Sequence, residues 1–414
     1  MKQLLFALTM FLLIHAHGQK IDAITSFKND FTKVLNSNFS EKKLNDMFDK
    51  YDIILTPGSD ITQFWQGLQG RRISACPLYN FGKEKLYTEN VNNLLNSTNR
   101  FQRILSYLII SSSCDTTKEV TLLERLKTEK EQGNLIWAGM ALLHLKCNHT
   151  TALFDFLVKN EDFGDAHMLP LYMQLDKDSL QQTAYSRIDS KDDKAKILAA
   201  QTLSITSLNA KTEELLKQAV IDWDINIKGY AIYSIKELKI GNLLGIFKPL
   251  FDSNQTRSIA LAAMANSPTQ TDQDYLRGLV NSQDTISEDV LDCFYTSKNV
   301  DNVKFWLTLL YTKHIAKNYS FFISDQPLIQ ADAVLSAVQN TLQNVKDTSI
   351  LGELVRALEN RTDDKSIDIM VALLKNKNTT VRYWTATTLQ RNKSEKLKVK
   401  GIKELIEKGL KDGN

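Results

Sequence analysis

Four cysteines and six histidines are present, and several are spaced for chemistry. His144, Cys147 and His149 fall close together, with Cys114 some way upstream. Thiolate and imidazole are donors that zinc accepts, and the i, i+3 spacing puts His144 and Cys147 on one helix face. This spacing matches no specific zinc signature, and the expected arrangement is instead a disulfide between Cys114 and Cys147, with Cys76 in Ser74-Ala75-Cys76-Pro77 as competitor for either and the metal site as the alternative.

Enzyme signatures are otherwise missing. The chain has no G-x-S-x-G, no G-x-x-x-x-G-K, no H-E-x-x-H and no glycine-rich turn after a strand. The carboxylate pairs Asp192-Asp193 and Asp363-Asp364 stand where helix starts are expected and are predicted to be caps. No catalytic residue and no cofactor are therefore assigned. With 51 basic against 48 acidic residues in 414, bulk charge does not call for nucleic acid. Glycine and proline, 16 and 6, are too scarce for a turn-rich β fold.

The elements that carry these residues repeat. One nine-residue pattern recurs at Asn134–Leu142, Ala195–Leu203, Ile227–Ile235, Thr256–Met264, Ile286–Phe294, Ile350–Leu358 and Val381–Leu389, with a weaker copy at Phe101–Ile109. Starts lie about 31 residues apart, or two periods apart across 164–190 and 314–345, where Pro170 and Pro327 interrupt; such a period is the mark of a stacked solenoid. The first, fifth, eighth and ninth positions share one helical arc, and small residues at the fifth and eighth admit a close neighbour. A second apolar stripe follows each copy, for example Leu243, Leu244 and Phe247, so each repeat is a helix pair that must stack on the next. Cys293 holds an eighth position, where sister copies have Ala141, Thr202, Ser234, Ala263 and Thr388. It is expected to be buried and inert. Cys114 and Cys147 share a register in consecutive repeats, but a bridge needs the helix ends to converge.

At Val381-Arg382 with Thr385, Ala386, Thr388 and Leu389, after Leu373-Leu374 and Asn376 to Asn378, the chain resembles the HEAT repeat, including its short lyase-like form. The resemblance covers residues 101–414. It implies an all-α fold, an α-α superhelix of about ten helix pairs, and a binding scaffold more than a given activity. The basic second positions Lys196, Lys228, Arg257 and Arg382, with Asp192, Asp224, Asp252 and Asn378 before them, then read as caps and an inter-repeat hydrogen-bond ladder. Residues 19–100 lack the period and are expected to form an N-terminal helical cap.

The fourth position holds Trp137, Leu198, Tyr230, Ile259 and Trp384, a strip fit for recognition or for packing against the adjacent pair. Residues 1–18 have the grammar of a secretory signal: Lys2, the apolar run Leu4–Ile14, then Ala16-His17-Gly18. That predicts a secreted or periplasmic protein, without a later membrane span and monomeric. The function expected is protein or peptide binding by a solenoid groove; the alternative is an enzyme or metal site in the N-terminal region and first repeats.

Overall fold

The computed structural model describes residues 26, 28–36, 39–50, 84–113, 115–146, 148–160, 168–281, 285–315 and 323–413. The fold is all-α, with helices packed in neighbouring pairs as an α-α solenoid. Two compact units divide between Ser207 and Leu208, a boundary the repeat pattern did not suggest.

The first unit opens with a helical stretch at 28–35, α1 (Glu41–Lys50) and α2 (Lys85–Leu95). Both labelled helices pack on α3 (Arg100–Ser113), the first helix of the periodic region. Then follow α4 (Glu119–Thr128), α5 (Gln132–His144), α6 (Thr150–Asn160), α7 (Leu169–Tyr172), α8 (Lys177–Arg187) and α9 (Asp193–Leu203). The second unit holds α10 (Ala210–Asp222), α11 (Lys228–Leu238), α12 (Leu244–Phe247), α13 (Arg257–Ala265), α14 (Gln270–Asn281), α15 (Glu288–Tyr295) and α16 (Val300–Thr312). It continues through α17 (Asp332–Asn344), α18 (Thr348–Ala357), α19 (Asp364–Leu373), α20 (Thr379–Arg391) and α21 (Lys400–Lys411).

In both long gaps the first helix of a pair shows only about one turn among the described residues. In the first this is α7, which Pro170 opens at a position where its missing N–H costs no helix bond. In the second it is the 3-10 turn Ile323–Asp325, ended by Pro327. Thr285–Ile286 and His314–Ile315 pair there as two short parallel strands, joining the entry of α15 to the exit of α16.

The fifth positions Ala138, Ala199, Ala231, Ala260, Val290, Leu354 and Thr385 are all fully buried. Within a pair small residues also bring helices close: a Cβ on Gly409 of α21 would lie 2.8 Å from the Ala386 Cβ and 3.0 Å from the Arg382 carbonyl of α20. Hydrogen bonds repeat the period. Asn134 Nδ2 donates to the Arg100 carbonyl at 3.0 Å, the Lys298 N–H to Asn266 Oδ1 at 2.8 Å, and Asn392 Nδ2 to the Arg361 carbonyl at 2.6 Å. Each bond crosses one repeat and ties a side chain to a backbone group of the neighbouring one.

The cap reading of the aspartates fits: Asp192 Oδ1 accepts from the Lys194 N–H at 2.9 Å, and Asp363 Oδ1 from the Ser366 N–H at 2.9 Å. A cap is also supplied between repeats. Asp272 of α14, 1% exposed, accepts from the Leu243 and Leu244 N–H groups that open α12 and from Ser267 Oγ at 2.6 Å.

Arginine supplies the ladder, and only part of it follows the expected positions. Arg382 donates to the Asn376 and Lys377 carbonyls at 2.8 and 3.0 Å and forks onto Asp412 at 2.6 and 2.9 Å. Arg257 reaches the Phe251 carbonyl at 3.1 Å and the Asp289 carboxylate. Arg103 does the same with the Ser97 and Thr98 carbonyls and forks onto Glu129 at 2.9 and 2.8 Å. The first copy is thus in register from Gln102 and not Phe101, since Arg103 and Arg382 bind the carbonyls six and five residues before them. Lys196 departs from the ladder and pairs with Asp193 on its own helix at 3.1 Å, because an ammonium offers no fork to hold a carbonyl and a carboxylate together.

Candidate functional site

Trp137, Tyr230, Ile259 and Trp384 are half-buried, whereas Leu198 is 0% exposed. Leu198 sits on α9, which packs against both α8 and α6, so that fourth position is core. Trp137 and Leu198 belong to the first unit and the other three to the second. Within the second unit the line is interrupted: the fourth positions of two intervening copies are Asp289 and Glu353. Each carboxylate takes an arginine, Asp289 from Arg257 and Glu353 from Arg356 at 3.1 Å. Their polarity was visible in the sequence, and reading the apolar copies alone hid the interruption.

At Trp384 the pattern produces a site. The Arg356 guanidinium of α18 lies 4.0 Å from the centroid of the Trp384 ring on α20, a cation–π stack. Gly352, one turn earlier on α18, lets the indole in: a Cβ there would stand 3.3 Å from Trp384 Cδ1. Beside the stack opens a cleft of about 310 Å³ lined by Gln330, Glu359, Asn360 and Arg391 as well as the stacked pair. Asn392 Nδ2 donates to the carbonyls of Glu359 and Arg361 at 3.0 and 2.6 Å, fixing the turn that carries Glu359 and Asn360. Arg391 Nη1 stands 3.4 Å from Glu359 Oε1 and its side chain is 67% exposed. Two guanidinium groups, each in an ion pair, thus flank one indole beside two side-chain amides. Such a site can hold carboxylates and peptide groups, and it contains no nucleophile with an adjacent base.

No family model matches the chain, and the curated proteins include no match to it. The fold and the site therefore stand on this chain's own geometry.

The cysteine and histidine cluster is only partly within view. Cys76, Cys114 and Cys147 lie outside the described residues, and with them the proposed disulfide. His149 Nε2 pairs with Glu119 Oε1 at 2.7 Å. Burial, and next the charge of Lys146, push the His144 imidazole down to about 4, so it is neutral near pH 7. Among the described residues no three His, Cys, Asp or Glu side chains converge as metal ligands. Cys293 is 1% exposed, and burial, reinforced by Asp289 and Asp292, holds its thiol well above the ordinary range. It is buried as its register required, and a suppressed thiolate makes it a poor nucleophile.

Proposed function

We propose that the chain is an exported binding scaffold that holds a segment of a partner protein, with the cleft at Trp384 as its anchor. The observation that carries this reading is the convergence of an indole, two guanidinium groups and two amides on one cleft. Aromatic and arginine side chains supply most of the affinity in protein interfaces. A solenoid suits the task, because stacked pairs present an extended surface on which several residues of a ligand can be engaged in turn. Export rests on the signal-like residues 1–18, which lie outside the described residues.

Selection of peptides from a random displayed library on the purified chain tests the reading. Selected peptides should bind wild type in a fluorescence anisotropy titration and lose about tenfold or more on Trp384→Ala, with the circular dichroism spectrum unchanged. A library that yields no ligand, or ligands indifferent to Trp384, refutes it. Amino-terminal sequencing of the protein recovered outside the cytoplasm should begin at Gln19.

A further inference from the structure

We infer that the segment held at this cleft is acidic: the last part of the second unit is a docking surface for a polypeptide rich in carboxylates. The inference rests on the scaffold reading and adds the chemistry of its ligand.

Charge is the first observation. Residues 375–414 contain eleven basic and four acidic side chains, a net charge of +7, while the whole chain sums to +3, so the preceding 374 residues sum to −4. Near neutrality overall therefore conceals one strongly basic end. Much of that charge is available: Lys393, Lys400, Lys403 and Lys408 are exposed and make no ion pair among the described residues. Arg391 lies within this basic stretch and is also a wall of the cleft.

The second observation is the state of the two cleft arginines. Arg356 is oriented by its stack on Trp384 and by one contact to Glu353 at 3.1 Å. Arg391 meets Glu359 only at 3.4 Å. A guanidinium has five N–H donors in a fixed fork, so one carboxylate contact each leaves edges that a second carboxylate can engage. Held 4.0 Å from the centre of the indole and in contact with Glu353, Arg356 is already partly ordered, and a ligand has less of its rotamer freedom to remove.

The same cleft distinguishes a polypeptide from other polyanions. Asn360 and Gln330 each offer a donor and an acceptor, which pair with both the N–H and the C=O of a peptide group, whereas a sulfated or phosphorylated surface needs donors alone. A volume of about 310 Å³ is at the small end of ligand clefts and suits a side chain of a peptide. The lysines beyond the cleft would attract the remaining carboxylates at longer range, which raises the association rate and makes it sensitive to salt.

The test uses the full mature chain and two labelled peptides of equal length, one rich in glutamate with a single aromatic residue, the other with glutamine at each glutamate. Anisotropy should show the glutamate peptide binding about tenfold or more tighter at low salt, with the advantage shrinking as salt rises. Arg391→Gln, at an exposed position, should weaken the glutamate peptide about fivefold or more and the glutamine peptide by a smaller factor. A double substitution Lys400→Gln and Lys403→Gln should reduce the salt dependence. Equal binding of the two peptides, or an indifferent Arg391→Gln variant, overturns the inference. So does binding to vesicles rich in anionic phospholipid that the glutamate peptide cannot compete away. If library peptides bind through Trp384 and carry no acidic bias, this inference fails while the scaffold reading survives; if none bind, the scaffold reading fails first.

Discussion

Arg103 offers the sharpest test of how the repeats are held together. Its guanidinium forks onto Glu129 at 2.9 and 2.8 Å and holds the Ser97 and Thr98 carbonyls of its own turn. The Glu129 side chain is 3% exposed and also accepts from Tyr107 at 3.1 Å and from the Lys130 and Glu131 N–H groups. Arg103→Met keeps the apolar stem and removes the charge, so a buried carboxylate loses its counter-ion. Breaking such a pair costs about 3–5 kcal/mol. At about 1.4 kcal/mol per factor of ten, protection of the α3 and α5 amides against hydrogen exchange should fall by about two orders of magnitude or more. The effect should fade along the array, since each repeat touches only its neighbours. Acid should change its size in a definite direction. Burial alone would raise the Glu129 carboxyl, but the Arg103 bonds, the Glu131 N–H and Tyr107 outweigh it and hold the group below its ordinary value. In wild type the stability Glu129 contributes is present above its unfolded pKa, about 4.3, and is lost as the pH falls through the lower folded value. In Arg103→Met the Glu131 N–H and Tyr107 still lower the carboxyl, but the Arg103 bonds and charge are gone, so the folded pKa rises toward the unfolded one. The deficit of the variant is then largest at neutral pH and shrinks on acidification. Glu129→Leu added to Arg103→Met should recover about half of the loss or more, because two apolar groups leave no charge stranded. A deficit below about 1 kcal/mol, or one that does not change with pH, would refute the argument.

Three further outcomes follow from other contacts. Asp272→Ala strands the Leu243 and Leu244 N–H groups and the Ser267 hydroxyl, and should lower denaturation stability of the second unit by about 2–4 kcal/mol. Gly139→Ala should destabilise, since its Cβ would lie 2.2 Å from Cζ of the buried Phe156 ring, an overpacking cost of about 1–3 kcal/mol. Gly278→Ala, in an exposed helix interior with no atom within 4 Å of the new methyl, should instead gain about 0.5–1 kcal/mol, and thermal melts of the pair give the two signs. Burial and Lys146 depress the folded pKa of His144 to about 4, so its stabilising contribution is intact above the unfolded value near 6.5 and is lost as the pH falls toward about 4. His144→Gln should flatten stability across that window.

The solenoid was legible because the constraint that builds it acts on residue size. A helix stacked between two others favours small side chains at its closest approach, and Ala138, Ala199, Ala231 and Ala260 recur at that spacing, with Val290 and Leu354 as larger apolar exceptions. The same constraint located Cys293 in the core. Phe101 misled because a run such as Ile104, Leu105, Leu108, Ile109 and Ile110 is apolar on every side, and a one-residue shift leaves the pattern looking equally good; the contacts of Arg103 decide the register. Burial at the fourth position was not legible at all. It depends on how neighbouring helices cross, so Leu198 is core while Trp384, in the same register, is half-buried. The two shortened helices were signalled by Pro170 and Pro327, but the strand pairing between Thr285–Ile286 and His314–Ile315 joins segments far apart in the chain, and nothing local encodes it.

The cleft illustrates how a repeat acquires a specific site from changes that leave its core alone. Fifth and eighth positions stay small or apolar in the copies that form it, Leu354 and Ala357 on α18 and Thr385 and Thr388 on α20, all buried. The seventh position is Met140, Gln201, Tyr233, Ala262, Asp292 and Thr387 in other copies and is an arginine only at Arg356. The fourth position of the next copy is Trp384, and the stacking of successive first helices brings those two registers within 4.0 Å. At Gly352 a Cβ would stand 3.3 Å from Trp384 Cδ1, so the missing side chain eases the seating of the indole. Two half-buried side chains and one buried glycine thus create a preorganised cation on an aromatic platform. Binding chemistry and folding are written at different registers of the same repeat, so the first can vary while the second is kept.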